Sequence, residues 1–269
     1  MNKTVDVFNL LDHLLPSLEQ VSVCEPRLLQ QLYAGVGISV SAQGGLNDRA
    51  VIRQQYGRLR TQALQGDADA LNDLGWLWLN GTRLAANPQL AKRLFISAAC
   101  RGSAQALFNL AEQAYFGKGL DVDVPLAVGY YQQAYEAGII CAAQALGSIY
   151  EAGEEGVAAD HAKAVTWYKR AAGELDPMAC FLLGKLLLEE QSAEYDVASG
   201  LHWLQVAAMQ GQVFASERLA DFYAWSFDAP PDPDGVMYRF WRDRALSQGG
   251  TGLKPLHRDD GCQKAMTRE

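Results

Sequence analysis

The sequence predicts an all-α fold, a solenoid of about five stacked antiparallel helix pairs, and three observations carry that prediction. A glycine column recurs at Gly66, Gly102, Gly138, Gly211 and Gly249, with Leu175 in the same place in one unit, at spacings of 36, 36, 37, 36 and 38 residues. The first five of those column positions are followed, four and eight residues later, by alanine and leucine: Ala70/Leu74, Ala106/Leu110, Ala142/Leu146, Ala179/Leu183 and Ala215/Leu219. A second apolar stripe precedes each later column position, with Leu94, Tyr130, Trp167, Trp203 and Trp241 eight residues ahead of it. A period of this length is the signature of stacked supersecondary units.

Composition sets the outer bounds. The chain has 269 residues, an apolar fraction of 49% and a charged fraction of 20%, which suits a globular protein with a substantial core. A net charge of −8 with no Lys/Arg run argues against nucleic-acid or acidic-lipid binding, since no basic excess is available to neutralise phosphates. Five cysteines, Cys24, Cys100, Cys141, Cys180 and Cys262, stand far apart without a CxxC pair, which disfavours a disulfide framework or a structural zinc site. No cofactor is expected. The N-terminal stretch MNKTVDVFNLLDHLLPSLEQ lacks an unbroken apolar run and a small-residue cleavage pattern, so a cytoplasmic location is expected, with a non-classical export route open. No later apolar run reaches membrane-spanning length without charges, so no membrane insertion is expected.

Taken in order, residues 1–48 read as an N-terminal helical cap region without a repeat signature. Helices are expected over 4–20 and 26–34, followed by the Gly/Ser-rich loop AGVGISVSAQGGLND. Residues 49–65 read as a lone second-type helix that opens the stack, with Arg58 where the others carry an aromatic. Each later unit begins after its column residue with a first-type helix, whose alanine, leucine and next large residue lie on one face. That large residue is Trp78, Tyr150, Leu187 and Tyr223, while the second unit offers Ala114 beside Tyr115. Gly75, Ala111, Gly147, Gly184 and Ala220 follow the leucines and let a neighbouring helix approach closely. Breaker segments NGTRLAANP, FGKGLDVDVP and EAGEEGVAAD then lead to the second-type helices, with Pro88 and Pro125 at their starts. Those helices carry the large residue named above and, one or two turns later, the small residues Ala98, Ala134, Ala171, Ala207 and Ala245. The repeat region is expected to span 49–249, interrupted by the loop Phe227 to Gly235, with a polar tail over 250–269.

In the third unit Ala142, Leu146-Gly147, Tyr150, Gly153, Gly156, Asp160, Lys163-Ala164, Trp167-Tyr168 and Ala171-Ala172 spell a pattern that resembles the Sel-one-like repeat family, a relative of the tetratricopeptide repeats. The resemblance covers residues 66–249. Leu175 and Glu190 depart from it by replacing two glycines. It implies a right-handed superhelix, and in bacteria an adaptor or scaffold role.

The most chemical stretch is EAGEEGVAADH, where Glu151, Glu154, Glu155, Asp160 and His161 could hold a divalent ion. It occupies the slot of NGTRLAANP and FGKGLDVDVP, which share no ligand set with it, so an inter-helix turn is the stronger reading, with Asp160 capping the next helix. No GxGxxG or P-loop pattern supports a phosphate site. Cys141, Cys180 and His202 lie in different units without a shared motif, so a hydrolase or metal-dependent enzyme is the weaker alternative. Trp167, Trp203 and Trp241 are expected in the core, and Trp76 and Trp225 outside it.

If the related superhelix holds, first-type helices line its concave surface. Residues three, six, ten and thirteen past the column face away from the core stripe. The partner-binding candidates are Asn72, Trp76, Phe108, Glu112, Tyr115, Gln144, Ser148, Glu151, Phe181, Lys185, Phe214, Glu217 and Asp221. Aromatic anchors of this kind are enriched at interface hot spots. The expected function is a non-enzymatic module that binds a protein or peptide. A bacterial immunity or antitoxin protein is the alternative, and the acidic balance favours a basic partner.

Overall fold

The computed structural model describes residues 15–17, 44–81, 85–190, 192–225, 229 and 234–251. The helix expected over 26–34, most of that over 4–20, most of the Phe227 to Gly235 loop and the tail from 252 lie outside the described residues. Residues 15–17, inside the expected 4–20 helix, are not helical. Pro16 supplies the reason, because its ring disfavours the helical region for Leu15.

Eleven helices occur among the described residues: α1 Gly44–Leu64, α2 Ala68–Asn80, α3 Pro88–Ala99, α4 Ala104–Phe116, α5 Val124–Glu136, α6 Cys141–Ala152, α7 His161–Gly173, α8 Pro177–Leu187, α9 Val197–Met209, α10 Val213–Trp225 and α11 Val236–Ser247. The chain divides into two compact units, residues 1–142 and 143–269, close to the start of α6. In the first, α1 packs on α2, α2 on α3, α3 on α4 and α4 on α5, and the first-type helices α2 and α4 also touch. In the second, α7 to α11 pack in the same sequential way, and the first-type helices α8 and α10 touch.

The column glycines end helices in the left-handed region, with φ of 91° at Gly66, 92° at Gly102, 97° at Gly138, 94° at Gly211 and 88° at Gly249. The residue after each column glycine donates its N–H back to a carbonyl of the helix just ended, as in Ser103 to Ala98 at 3.1 Å and Ile139 to Ala134 at 2.9 Å. Leu175 keeps the same sign, φ 57°, although it carries a side chain.

The inter-helix turns close with a second recurring device. The N-cap residues Asn87, Asp123, Asp160 and Asp196 each accept from a backbone N–H in the first turn of the helix that follows. Their own N–H groups donate to the carbonyls of Trp78, Ala114, Tyr150 and Leu187 at 2.7–2.9 Å, which fastens each second-type helix to the end of its partner. The stretch at Glu154 to Val157 forms an isolated antiparallel bridge within such a turn.

In three of the second-type helices the buried large position is shifted from the expected column, whereas Leu94 and Trp241 are buried as expected. Phe95, Tyr131, Tyr168 and Leu204, seven residues ahead of the next column position, are fully buried, while Tyr130, Trp167 and Trp203 are half-buried. Trp167 and Trp203 therefore do not sit fully in the core as expected, although Trp241 does. The reason is the small residue on the facing helix. A Cβ added to Gly75 would lie 2.6 Å from Phe95 Cε1, one added to Gly147 would overlap the Tyr168 ring, and one added to Gly184 would lie 2.8 Å from Leu204 Cγ. The side chain that fits the notch is buried; its neighbour one position earlier turns partly outward at Tyr130, Trp167 and Trp203, though not at the smaller Leu94, and Arg170 lies over the face of Trp167 at 4.3 Å.

Candidate functional site

In the first unit the outward face of α2 and α4 meets α1 in an open cleft of about 470 Å³. It is lined by Gln55, Arg58 and Leu59 of α1, Asn72, Asp73, Trp76 and Leu77 of α2, and Gln105 and Asn109 of α4. Trp76 is 49% exposed, a large apolar surface for a residue flanked by the buried Gly75 and the half-buried Leu77. Asn72 is almost wholly buried and accepts from Asn109 Nδ2 at 2.8 Å, which ties the two first-type helices together. Burial lifts the Asp73 carboxyl above its usual range; the Asn72 hydrogen bond opposes this, and Asp69 and Asp67 add to it.

The other candidates of this unit lie further along α4. Phe108 is half-buried with its ring 5.6 Å from that of Tyr131. Tyr131 donates its hydroxyl to Glu112 Oε1 at 2.6 Å, and burial followed by the Glu112 carboxylate pushes that phenol well above its ordinary pKa. Lys118 lies 4.0 Å from the other Glu112 oxygen. Tyr115, half-buried, stands edge-on to Phe116 at 4.8 Å.

In the second unit Glu151 joins three helices. It accepts from Tyr168 of α7 at 2.7 Å and pairs with Lys185 of α8 at 2.7 Å. Ser148, exposed, lies 3.1 Å from the Tyr168 hydroxyl, so the three candidates Ser148, Glu151 and Lys185 are brought together. Burial, the larger cause, and the Glu151 carboxylate raise the Tyr168 pKa. Phe181 of α8 and Phe214 of α10 form a second group, with rings 6.1 Å apart and Phe214 56% exposed. Gln144 is half-buried on α6. Glu217 and Asp221 are half-buried on α10, and neither lacks a partner.

Gln55, Arg58, Asp73 and Asn109 of the cleft were not among the expected site residues. Asn109 lies one helical turn from Gln105, and Arg58 lies on the helix that opens the stack, where its departure from the aromatic pattern was the available signal. Tyr168 entered the sequence reading only as part of the repeat pattern and Tyr131 not at all, yet their hydroxyls reach the outward carboxylates. Among the described residues no group of three or more His, Cys, Asp or Glu could hold a metal ion, and no helix is long and apolar enough to cross a membrane.

Consecutive packed helices, left-handed turn glycines and touching first-type helices define a helical-repeat protein. Comparison with known families makes this specific: the Sel1 repeat matches residues 68–103, 104–139, 142–173 and 177–212, together more than half of the chain. The chain belongs to the Sel1 repeat family, whose members are typically protein–protein interaction modules. The pair α10–α11 follows the four matched repeats. A Sel1 repeat protein from Oxalobacter formigenes has a similar structure, with a TM-score of 0.65, 26% identity, and coverage of 78% of this chain and 86% of its own. A protective antigen with the same repeat fold from uropathogenic Escherichia coli gives a TM-score of 0.65 at 24% identity, over 87% of this chain and 49% of its own. An uncharacterised protein of Neisseria meningitidis serogroup B is 30% identical over 152 residues, 56% of this chain and 31% of the relative. The chain thus matches about a third of the length of that relative.

Proposed function

We propose that the chain is a non-enzymatic interaction module that holds a protein or peptide partner on the outward faces of its first-type helices. The observation that carries this reading is Trp76, half-exposed in a cleft lined otherwise by amides, Arg58, Asp73 and the half-buried Leu59 and Leu77. An exposed indole in a concave, hydrogen-bonding setting is the usual chemistry of an interface anchor. The Phe181–Phe214 pair offers the second unit a comparable apolar anchor. The carboxylates Glu112 and Glu151 are already bonded to Tyr131 and Tyr168, so they act as fixed acceptors that orient a partner.

A narrower version, an immunity or antitoxin protein that clamps a basic toxin or effector, draws its support from the net charge of −8. Both versions place the partner on the same faces. The test is capture of a partner by the wild-type chain and by a Trp76→Ala/Phe108→Ala variant. Loss of capture by a variant that keeps its helical content supports the reading; equal retention by both proteins removes the first unit's face from it.

A further inference from the structure

The cleft between α1, α2 and α4 has a chemistry of its own that the acidic balance of the chain conceals. Arg58 lines it, and among the described residues nothing pairs with its guanidinium. The cation is therefore left for a ligand. Three amides, Asn72, Gln105 and Asn109, line the α2 and α4 walls. Each side-chain amide carries a donor and an acceptor, the complement of a peptide group. The indole of Trp76 stands among them as the most exposed apolar surface, with the half-buried Leu59 and Leu77 beside it. The volume of about 470 Å³ is in the range of clefts that take ligands of a few residues.

We propose that this cleft binds an extended peptide segment of a partner, with a glutamate or aspartate side chain on Arg58, an apolar side chain on Trp76, and main-chain groups on the outer amides of Gln105 and Asn109, which Asn72 holds in place from below. This rests on the protein-binding reading above and specifies its chemistry at one place. A planar guanidinium binds a carboxylate through two parallel hydrogen bonds, which fixes direction as well as sign. The acidic side chain lies toward α1, because Asp67, Asp69 and Asp73 of the α2 side would repel it. An internal side chain is the source of the carboxylate, since the lining runs across three helices and a bound chain passes over the cleft. The local preference is then opposite to the one that net charge alone suggests.

The experiment selects peptides from a displayed random heptapeptide library on the full chain. It then measures synthetic, C-terminally amidated copies by fluorescence anisotropy against wild type, Arg58→Glu, Trp76→Ala and Phe214→Ala. The expected result is enrichment of peptides with an acidic residue near an apolar one. Their Kd should weaken at least about tenfold with Arg58→Glu and with Trp76→Ala. A glutamate-to-lysine copy should recover binding to Arg58→Glu, whose melting curve should match wild type because Arg58 has no partner to lose. Enriched peptides that bind wild type and Arg58→Glu equally overturn the proposal. So does binding that needs a free C-terminal carboxylate. Binding lost only with Phe214→Ala overturns it too while leaving the protein-binding reading intact. Failure of every pool to depend on any of the three positions counts against both.

Discussion

The ring of Tyr168 lies over the backbone of Gly147, where no Cβ fits, and its hydroxyl donates to Glu151 at 2.7 Å. One side chain thus links the tight contact between α6 and α7 to the outward face that carries Ser148 and Lys185. Replacing Gly147 by Ala forces the ring and the hydroxyl to move together. The expected cost is about 1–3 kcal/mol of stability from overpacking, read as a lower urea midpoint. Tyr168→Phe keeps the packing and removes one charge-assisted bond, so about 1–2 kcal/mol is expected from it. The two changes should not add, because both act on one contact.

Leu175 adopts the left-handed conformation that glycine supplies at the other column positions, and it is 59% exposed. Leu175→Gly removes the steric penalty and forfeits little buried surface. Part of the gain is offset by the greater freedom of glycine in the unfolded chain. A net stabilisation of up to about 1 kcal/mol is expected by chemical denaturation. A loss of stability would show that the Leu175 side chain is used in packing.

The N-cap carboxyls give stability a definite acid limb. Hydrogen bonding from the Lys163 backbone, followed by its side chain, holds the Asp160 carboxyl below the usual range. At Asp196 the bonds come from Ser199, side chain first and backbone next. A folded pKa below the unfolded one means that the contribution is complete above the unfolded value and is lost as pH falls through the folded one. Wild type should therefore lose thermal stability below about pH 4. An Asp160→Asn/Asp196→Asn variant, which keeps the caps without titrating, should show a flatter acid limb. Identical limbs would rule these two groups out as the cause.

Thiol reactivity separates packing from surface. Cys100 and Cys141 are exposed, whereas Cys180 is buried and burial pushes its pKa to about 11. At neutral pH, peptide mapping after brief alkylation should find Cys100 and Cys141 modified well ahead of Cys180. Rapid labelling of Cys180 would mean that α8 opens readily.

Much of the fold was legible because its signals are local. The column glycines are required by positive φ, and Asp160 was readable as a cap from its place before a periodic helix. The aromatic column was misread at Trp167 and Trp203 because adjacent positions on a helix both look apolar, and bulk alone does not reveal which faces the glycine notch. The site was less legible. Asn72–Asn109 and Glu151–Lys185 join residues 37 and 34 positions apart, and such pairs depend on how neighbouring helices are seated. Arg58 was visible as an exception to the repeat but had no stated role until α1 was placed beside α2 and α4.

Hydroxyl-radical footprinting of a captured complex tests the central claim most directly. The account predicts that oxidation of Trp76 and Phe214 falls when the partner binds, while Met209 and Phe240, exposed on second-type helices, react as in the free chain. Protection of Met209 and Phe240 with Trp76 and Phe214 unchanged would contradict it.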